Sequence, residues 1–125
     1  MTTRICIAAA ALVLFAGGPA AAHHSGAMFD AKRTVTLTGT VKSFEWTNPH
    51  SWLELMVPGK NGKLSQWSIE LNGPATLHRQ GFRADNPKKG DKITVVAYPL
   101  RDGRPGGAVV SVLLADGKLI SIPST

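Results

Sequence analysis

After residue 22, apolar and polar positions alternate in short runs separated by Gly and Pro, a pattern typical of strands joined by turns. In residues 34–41 every second residue is a threonine, and the positions between are Val, Leu, Gly and Val, so a half-buried strand is predicted. The phase of the alternation then changes, because the next large apolar residues are Phe44 and Trp46. We therefore expect a β-bulge near Lys42-Ser43.

Four further strands are predicted over residues 52–57, 64–71, 92–98 and 108–114, and residues 118–122 are expected to add a short edge strand. Between the third and fourth strands, Asn72-Gly73-Pro74 can start a short helix over residues 75–80, which Gly81 would end. Three strands, one helix and two strands is the order of an OB-type barrel. The predicted fold class is all-β: a small OB-like five-stranded antiparallel barrel with one short helix, with a β-sandwich as the alternative.

The first 22 residues have the features of a cleavable secretory signal. Arg4 supplies a positive start, an apolar run of about 12 residues follows, and Ala20 and Ala22 provide the small residues before a cleavage site. The apolar run is shorter than the roughly 20 residues that a membrane-spanning helix needs. We therefore expect residues 1–22 to be removed, leaving residues 23–125 as a single exported domain with no integral membrane segment.

Cysteine content and charge limit the chemistry of the mature chain. The only cysteine, Cys6, lies in the predicted signal, so neither a disulfide nor a thiolate site is expected, and stability must come from the core. The chain carries 14 Lys and Arg against 8 Asp and Glu, and the basic residues are dispersed so that no basic run, such as Lys88-Lys89, is longer than two residues. This dispersal favours a solvated surface over a binding patch, and export makes nucleic acid the least expected partner.

Two adjacent histidines at the predicted mature terminus suggest a metal site. Cleavage after Ala22 makes His23 the first residue, and its α-amine and imidazole can chelate one metal ion. A second imidazole would complete a histidine brace, whose planar nitrogen ligands suit Cu(II). His50, in the turn after the first strand, is the best candidate for that ring, and His24 is the alternative. Cleavage after Ala21 would instead create an amino-terminal Cu(II)/Ni(II) motif.

The metal hypothesis has a plain alternative, in which the two histidines are a polar start of the mature chain without any metal role. For His50 the alternative is a role in capping its turn.

A second candidate site follows from the fold. In an OB-type barrel, the loop between the first two strands and the loop between the last two border the usual ligand face. These loops are residues 46–50 and 101–107 here. Side chains suited to stacking or to binding anions lie in or beside them: Trp46, Asn48, Trp52, Arg101 and Arg104. The alternative is that the tryptophans belong to the core, and for Trp67 this is the favoured interpretation.

No catalytic constellation accompanies these candidates. The chain lacks the nucleophile-elbow, Walker and dinucleotide-binding motifs, and it has no Cys-x-x-Cys-His for covalent haem. The sequence therefore predicts a non-enzymatic binding module that holds copper through His23 with His24 or His50. The alternative is a module that binds an anionic small molecule or a protein partner, with no metal role. A copper-dependent oxidative enzyme is a third, more distant possibility, because no extended substrate surface and no helper acid is recognised.

Several short motifs together resemble one protein family. They are His23-His24-Ser25, Met28-Phe29-Asp30, residues 37–41 (Leu-Thr-Gly-Thr-Val), residues 46–50 (Trp-Thr-Asn-Pro-His), residues 67–70 (Trp-Ser-Ile-Glu), Gly90-Asp91 and residues 99–103 (Pro-Leu-Arg-Asp-Gly). The chain resembles domain-of-unknown-function family 6152, an uncharacterised family of small exported bacterial proteins. The resemblance covers nearly the whole mature chain and implies a Gram-negative periplasmic location. It implies no established activity.

Overall fold

A computed structural model describes residues 25–123 of the chain. It begins with a single 3-10 turn, Ser25–Met28, and continues with six strands and one α-helix. The elements in chain order are β1 (Val35–Glu45), β2 (Ser51–Pro58), β3 (Leu64–Leu71), α1 (Pro74–Gln80), β4 (Lys92–Pro99), β5 (Gly106–Leu113) and β6 (Leu119–Ser121). The predicted signal over residues 1–22 and the two histidines His23 and His24 lie outside the described residues.

Five of the strands close into a barrel. The strand order is β3-β2-β1-β4-β5-β6, and β3 also pairs with β5, which joins the two ends of the five-stranded ring. The sixth strand, β6, pairs antiparallel with β5 outside the ring. The predicted OB-like barrel with a short helix is thus confirmed. Its description as antiparallel holds for every pairing except the closing one, since β3 and β5 run parallel.

The first strand bends so that it can belong to both halves of the barrel. It pairs with β4 through residues 35–40 and with β2 through residues 40–45. The register with β2 shifts between Val41 and Ser43, which confirms the predicted bulge and makes Lys42 the extra residue. At Gly39 the backbone of β2 comes so close that the carbonyl oxygen of Met56 occupies the space of a Cβ. A glycine and a bulge together allow this curvature.

The inward positions of the strands form one apolar core, which α1 and the segment after it complete at one end. Leu77 of α1 and Phe82 are fully buried. The helix has Pro74 at its start and ends at Gly81, whose φ of 105° places it in the left-handed region that glycine favours. The buried apolar strand residues of this core are Leu37, Val41, Leu53, Leu55, Ile69, Leu71, Ile93, Val95, Ala97, Val109, Val112 and Ile120.

The side chains of Trp46 and Trp67 pack against this core and are partly buried, as the core interpretation of the tryptophans predicts. Within residues 25–123, no helix has the length and apolar character needed to cross a membrane.

Candidate functional site

His50 ends the loop between β1 and β2, and two hydrogen bonds fix the backbone around it. The hydroxyl of Thr47 donates to the carbonyl oxygen of His50 at 2.8 Å, and the amide of Thr47 donates to the hydroxyl of Ser51 at 3.3 Å. The cap of this turn is therefore Thr47. The imidazole of His50 has a different partner, because its Nδ1 lies 3.1 Å from Oε1 of Glu70.

Glu70 is a buried carboxylate on the outer face of the barrel. It lies opposite Trp52 in the β2–β3 pairing, and its side chain is 9% exposed, whereas that of His50 is 42% exposed. An ionised carboxylate can only accept hydrogen bonds, so Nδ1 of His50 must be the donor in this pair. In the neutral imidazole with its proton on Nδ1, the other ring nitrogen, Nε2, carries a lone pair that can bind a metal ion.

The segment that follows the 3-10 turn runs along the start of the β4–β5 loop. The amide of Asp30 donates to the carbonyl oxygen of Pro99 at 2.8 Å, and Phe29 forms an antiparallel bridge with Leu100. The amide of Arg101 donates to the carbonyl oxygen of Met28 at 2.9 Å. These bonds fix the first described residues against the barrel.

Between this segment and the barrel lies a groove of about 420 Å³. Its lining includes Met28, Phe29, Trp52, Leu100 and Arg104. Trp52 is also the cross-strand neighbour of Glu70. The amino-terminal segment and the His50–Glu70 pair are therefore both next to the same tryptophan.

Five residues in or beside the two loops were predicted to form a second candidate site. Of these, the structure brings Trp52 and Arg104 together in this groove. Trp46 instead packs on the core, with its ring edge-to-face to Phe44 at a centroid distance of 5.8 Å. Asn48 is exposed at the tip of the first loop, and neither Trp46 nor Asn48 is among the groove residues. Arg101 lies beside the groove, and its Nε donates to the carbonyl oxygen of Ala27 at 3.2 Å.

The charge of Arg104 is partly offset by a neighbouring carboxylate. Its Nε donates to Oδ2 of Asp102 at 2.7 Å, and its backbone amide donates to Oδ1 at 3.0 Å. The backbone bond and then the guanidinium bond from Arg104 hold the pKa of Asp102 below its ordinary value. An anion in the groove would therefore meet an arginine that already has an anionic partner.

Sequence reasoning did not identify the pairing of Glu70 with His50. Glu70 alternates with the apolar residues Ile69 and Leu71, which predicts an outward side chain, and its closeness to Trp67 in the sequence is compatible with partial burial. The available signal was the strand pairing itself: a β2–β3 hairpin with the turn at residues 58–62 places the start of β2 opposite the end of β3.

A metal ion would need ligands beyond His50. In the part of the chain from residue 25 to residue 123, no three His, Cys, Asp or Glu side chains are grouped to hold one. His50 offers one ring nitrogen, and the brace hypothesis takes its other nitrogens from His23.

Comparisons with known proteins give a family and no activity. No curated protein and no solved structure matches the chain. The model of a family of unknown function, DUF6152, matches residues 10–109, which is most of the chain and agrees with the resemblance seen in its motifs. The protein belongs to this family.

Proposed function

We propose that the mature protein is an exported, periplasmic binding module that captures Cu(II) with the α-amine and ring of His23 and the ring of His50. The observation that supports it best is the imidazole of His50, held by a buried carboxylate near the end of the barrel where the first described residues pack. This arrangement presents a ring nitrogen within the neighbourhood of the amino-terminal segment.

The reach of the chain is compatible with such a site. A 3-10 turn rises about 2.0 Å per residue and an extended chain at most about 3.6 Å, so His23 is within roughly 13 Å of Met28. Met28 borders the groove that contains Trp52, and Trp52 lies opposite Glu70, the partner of His50. That the amino-terminal segment and the His50–Glu70 pair both adjoin Trp52 supports the proposal that His23 and His50 share one metal ion.

The available ligand atoms favour copper. An α-amine and two imidazoles are nitrogen ligands of the kind that Cu(II) takes in a planar arrangement. Without Cys6, which lies in the predicted signal, the chain has no thiolate to select a softer ion. The buried carboxylate of Glu70 also places negative charge beside a site that would hold a divalent cation.

The test is calorimetric titration of Cu(II) into the processed protein, a form with three Ala residues added before His23, and two variants, His50→Ala and His78→Ala. Three residues are added because a single Ala would make His24 the third residue and so create the amino-terminal copper motif. His78 is exposed on α1 and serves as the matched control. Both the Ala extension and His50→Ala should weaken binding strongly, because each removes a nitrogen ligand, and His78→Ala should not. Equal affinity of the processed and extended forms would contradict the proposal. A loss in the extended form alone would identify His24 as the second ring.

The groove favours a second candidate function: capture of a small anion with an apolar body, or of an acidic side chain of a protein partner. Trp52 offers a stacking surface and Arg104 a positive charge in the same groove. Binding of an exposed anion weakens as ionic strength rises, whereas chelation of copper hardly responds. Titration of benzoate at low and high salt, monitored by the indole resonance of Trp52, would detect this activity. It should vanish in Arg104→Ala.

A further inference from the structure

One backbone edge of β1 is open along its first half in the described part of the chain. β1 pairs with β4 through residues 35–40, but on the opposite edge its pairing with β2 begins only at Thr40, opposite Met56. If that ladder continued, Pro58 would lie opposite Thr38, and proline has no N–H to donate. Among residues 25–123, no strand other than β2 and β4 pairs with β1. The open edge therefore lies where a longer β2 would pair.

The backbone groups on this edge belong to Thr36 and Thr38. On the side of β4, the amide of Val41 donates to the carbonyl oxygen of Asp91 at 2.8 Å, and its carbonyl oxygen accepts from the amide of Gly90 at 2.9 Å. Backbone groups of successive strand residues point to opposite edges, so the other odd-numbered residues in this half of β1 also face β4. The N–H and C=O groups of Thr36 and Thr38 face the open edge, where an extended peptide can bond to them.

A groove of about 840 Å³ lies beside this edge. On the β1 side it is lined by Thr36, Thr38 and Thr40, which are exposed. Its other wall is apolar and consists of Met56, Val57, Pro58 and Leu64. Leu64 is 57% exposed, so this wall is open to solvent. Unpaired backbone next to pockets for alternate side chains is the combination by which a domain adds a peptide as an extra strand.

The charge around the groove is positive. Lys92 is the one charged residue among those that line it in the described chain, and none of the ion pairs within residues 25–123 involves Lys92. Lys60 and Lys63 lie in the turn between the lining residues Pro58 and Leu64. A second copy bound through the same edge would bring two sets of lysines together, whereas an acidic peptide is attracted to them. The charge therefore favours an acidic partner over a second copy.

We propose that an extended acidic peptide of a partner protein docks in this groove and pairs antiparallel with residues 36–38, in line with β2. The even-numbered residues in this half of β1 are exposed, as Lys92 is, and the odd-numbered residues face the core. Side chains opposite each other in paired strands share a face, so peptide residues opposite Thr36 and Thr38 point outward and their neighbours point toward Val57. Acidic residues fit the outward positions and apolar residues the inward ones. The site uses none of the residues proposed to bind copper, so the inference does not rest on the proposed function.

The test titrates an acetylated and amidated hexapeptide of alternating Glu and Val into the processed protein and follows the backbone amides of β1 by NMR and hydrogen exchange. In the free protein, the amides of Thr36 and Thr38 should exchange faster than those of Leu37 and Gly39, which face β4. The peptide should shift the resonances of Thr36 and Thr38 and slow the exchange of both amides. The same peptide with Lys in place of Glu should bind more weakly, because it brings positive charge to Lys92.

A pair of proline variants tests the backbone contact. Thr36→Pro removes an N–H from the open edge and leaves the ladder with β4 in place, so it should abolish the changes that the peptide causes at Thr38. Ser121→Pro is the matched control, since Ser121 is exposed on β6 and the amide that donates to Val110 of β5 is that of Ile122. This variant removes the same kind of outward N–H from another edge and should bind the peptide normally.

Two methylated peptides make the same test without changing the protein, and they decide it if Thr36→Pro does not fold. In antiparallel pairing the Glu nitrogens face β1, so methylation of these nitrogens should abolish binding, whereas methylation of the Val nitrogens should not. Lys92→Gln should weaken binding and reduce its dependence on salt. Arg79→Gln, at an exposed position on α1, should change neither.

The inference fails if the Glu-Val peptide leaves the β1 amides unchanged, or if the Lys peptide binds as tightly. It also fails if Thr36 and Thr38 are already protected in the free protein, because the edge would then be covered. If that protection increases with protein concentration, the occupant is a second copy and not an acidic peptide. None of these results bears on Cu(II), which the titrations of the copper proposal test separately.

Discussion

At the scale of single residues, the most sensitive positions are the fully buried apolar ones. Leu55 is 0% exposed and lies opposite Val41 in the β1–β2 pairing, at the centre of the barrel core. Leu55→Ala removes buried methyl groups and leaves a cavity, so it should lower the free energy of unfolding by about 2–5 kcal/mol. The measurement is urea unfolding followed by tryptophan fluorescence.

Lys60 provides the control for Leu55. It lies exposed in the turn between β2 and β3, and Lys60→Ala should change the free energy of unfolding by no more than about 0.5 kcal/mol. Similar losses in the two variants would mean that the strand faces are not the main source of stability in this domain.

The same scale shows how far sequence reasoning extends. The period of a strand fixes which side chains share a face, so the alternation in residues 52–57 and 64–71 is enough to place Leu53, Leu55 and Ile69 inward, and all three are fully buried. It could not assign the contact between His50 and Glu70, which are 20 positions apart and meet only through the register of two strands. The hairpin turn at residues 58–62 sets the register that brings the two residues together, but alternation alone does not show that their side chains pair.

At the scale of elements, the curvature of β1 decides whether the barrel can close. Gly39 is buried and lies where β1 changes from pairing with β4 to pairing with β2. A Cβ at this position would clash with the carbonyl oxygen of Met56 and would lie 3.0 Å from Cγ of Leu55. Gly39→Ala should therefore cost about 1–3 kcal/mol of unfolding free energy, as other overpacking substitutions do.

Thr36→Ala on the same strand is the matched control for Gly39→Ala. Thr36 is exposed, so its replacement should be nearly neutral in the same unfolding measurement. If Gly39→Ala unfolded at the same urea concentration as the wild-type protein, β1 and β2 would be able to move apart at this point without loss of stability. The close approach of their backbones argues against that result.

Elements were more predictable than the pairing between them. The bounds of β3 agree with the prediction, and the bulge in β1 and the stop of α1 at Gly81 were also foreseen, because each has a local chemical cause. The parallel pairing of β3 with β5 was missed. The strand direction at barrel closure is set by the path of the whole chain, through α1 and β4, and no segment of the sequence carries it alone.

At the scale of the whole molecule, fold and proposed site meet at one end of the barrel. The loop that presents His50, the groove of Trp52 and the amino-terminal segment are brought together by the β2–β3 pairing and by the hydrogen bonds of Met28 and Asp30 to the β4–β5 loop. These backbone hydrogen bonds fix the start of the described chain, and they involve none of the histidines that are proposed to bind copper. The barrel can therefore be intact whether or not a metal is bound.

This separation makes processing the deciding step for the proposed copper site, and it leads to a prediction. The exported form should begin at His23, because Ala20 and Ala22 are the small residues that the cleavage site requires. Intact-mass measurement of the protein from the periplasmic fraction checks the position.

A chain one alanine heavier would point to the Ala22-His23-His24 copper motif instead of a brace. An uncut chain, or one that begins after Ser25, would remove the α-amine from His23 or the residue itself, and the copper proposal would fail. Thermal unfolding without metal should be the same for the processed and Ala-extended forms, since the added residues precede every hydrogen bond by which the described residues hold the segment to the barrel. A difference in copper affinity with equal unfolding would then trace the binding to the free amine of His23 and not to the fold.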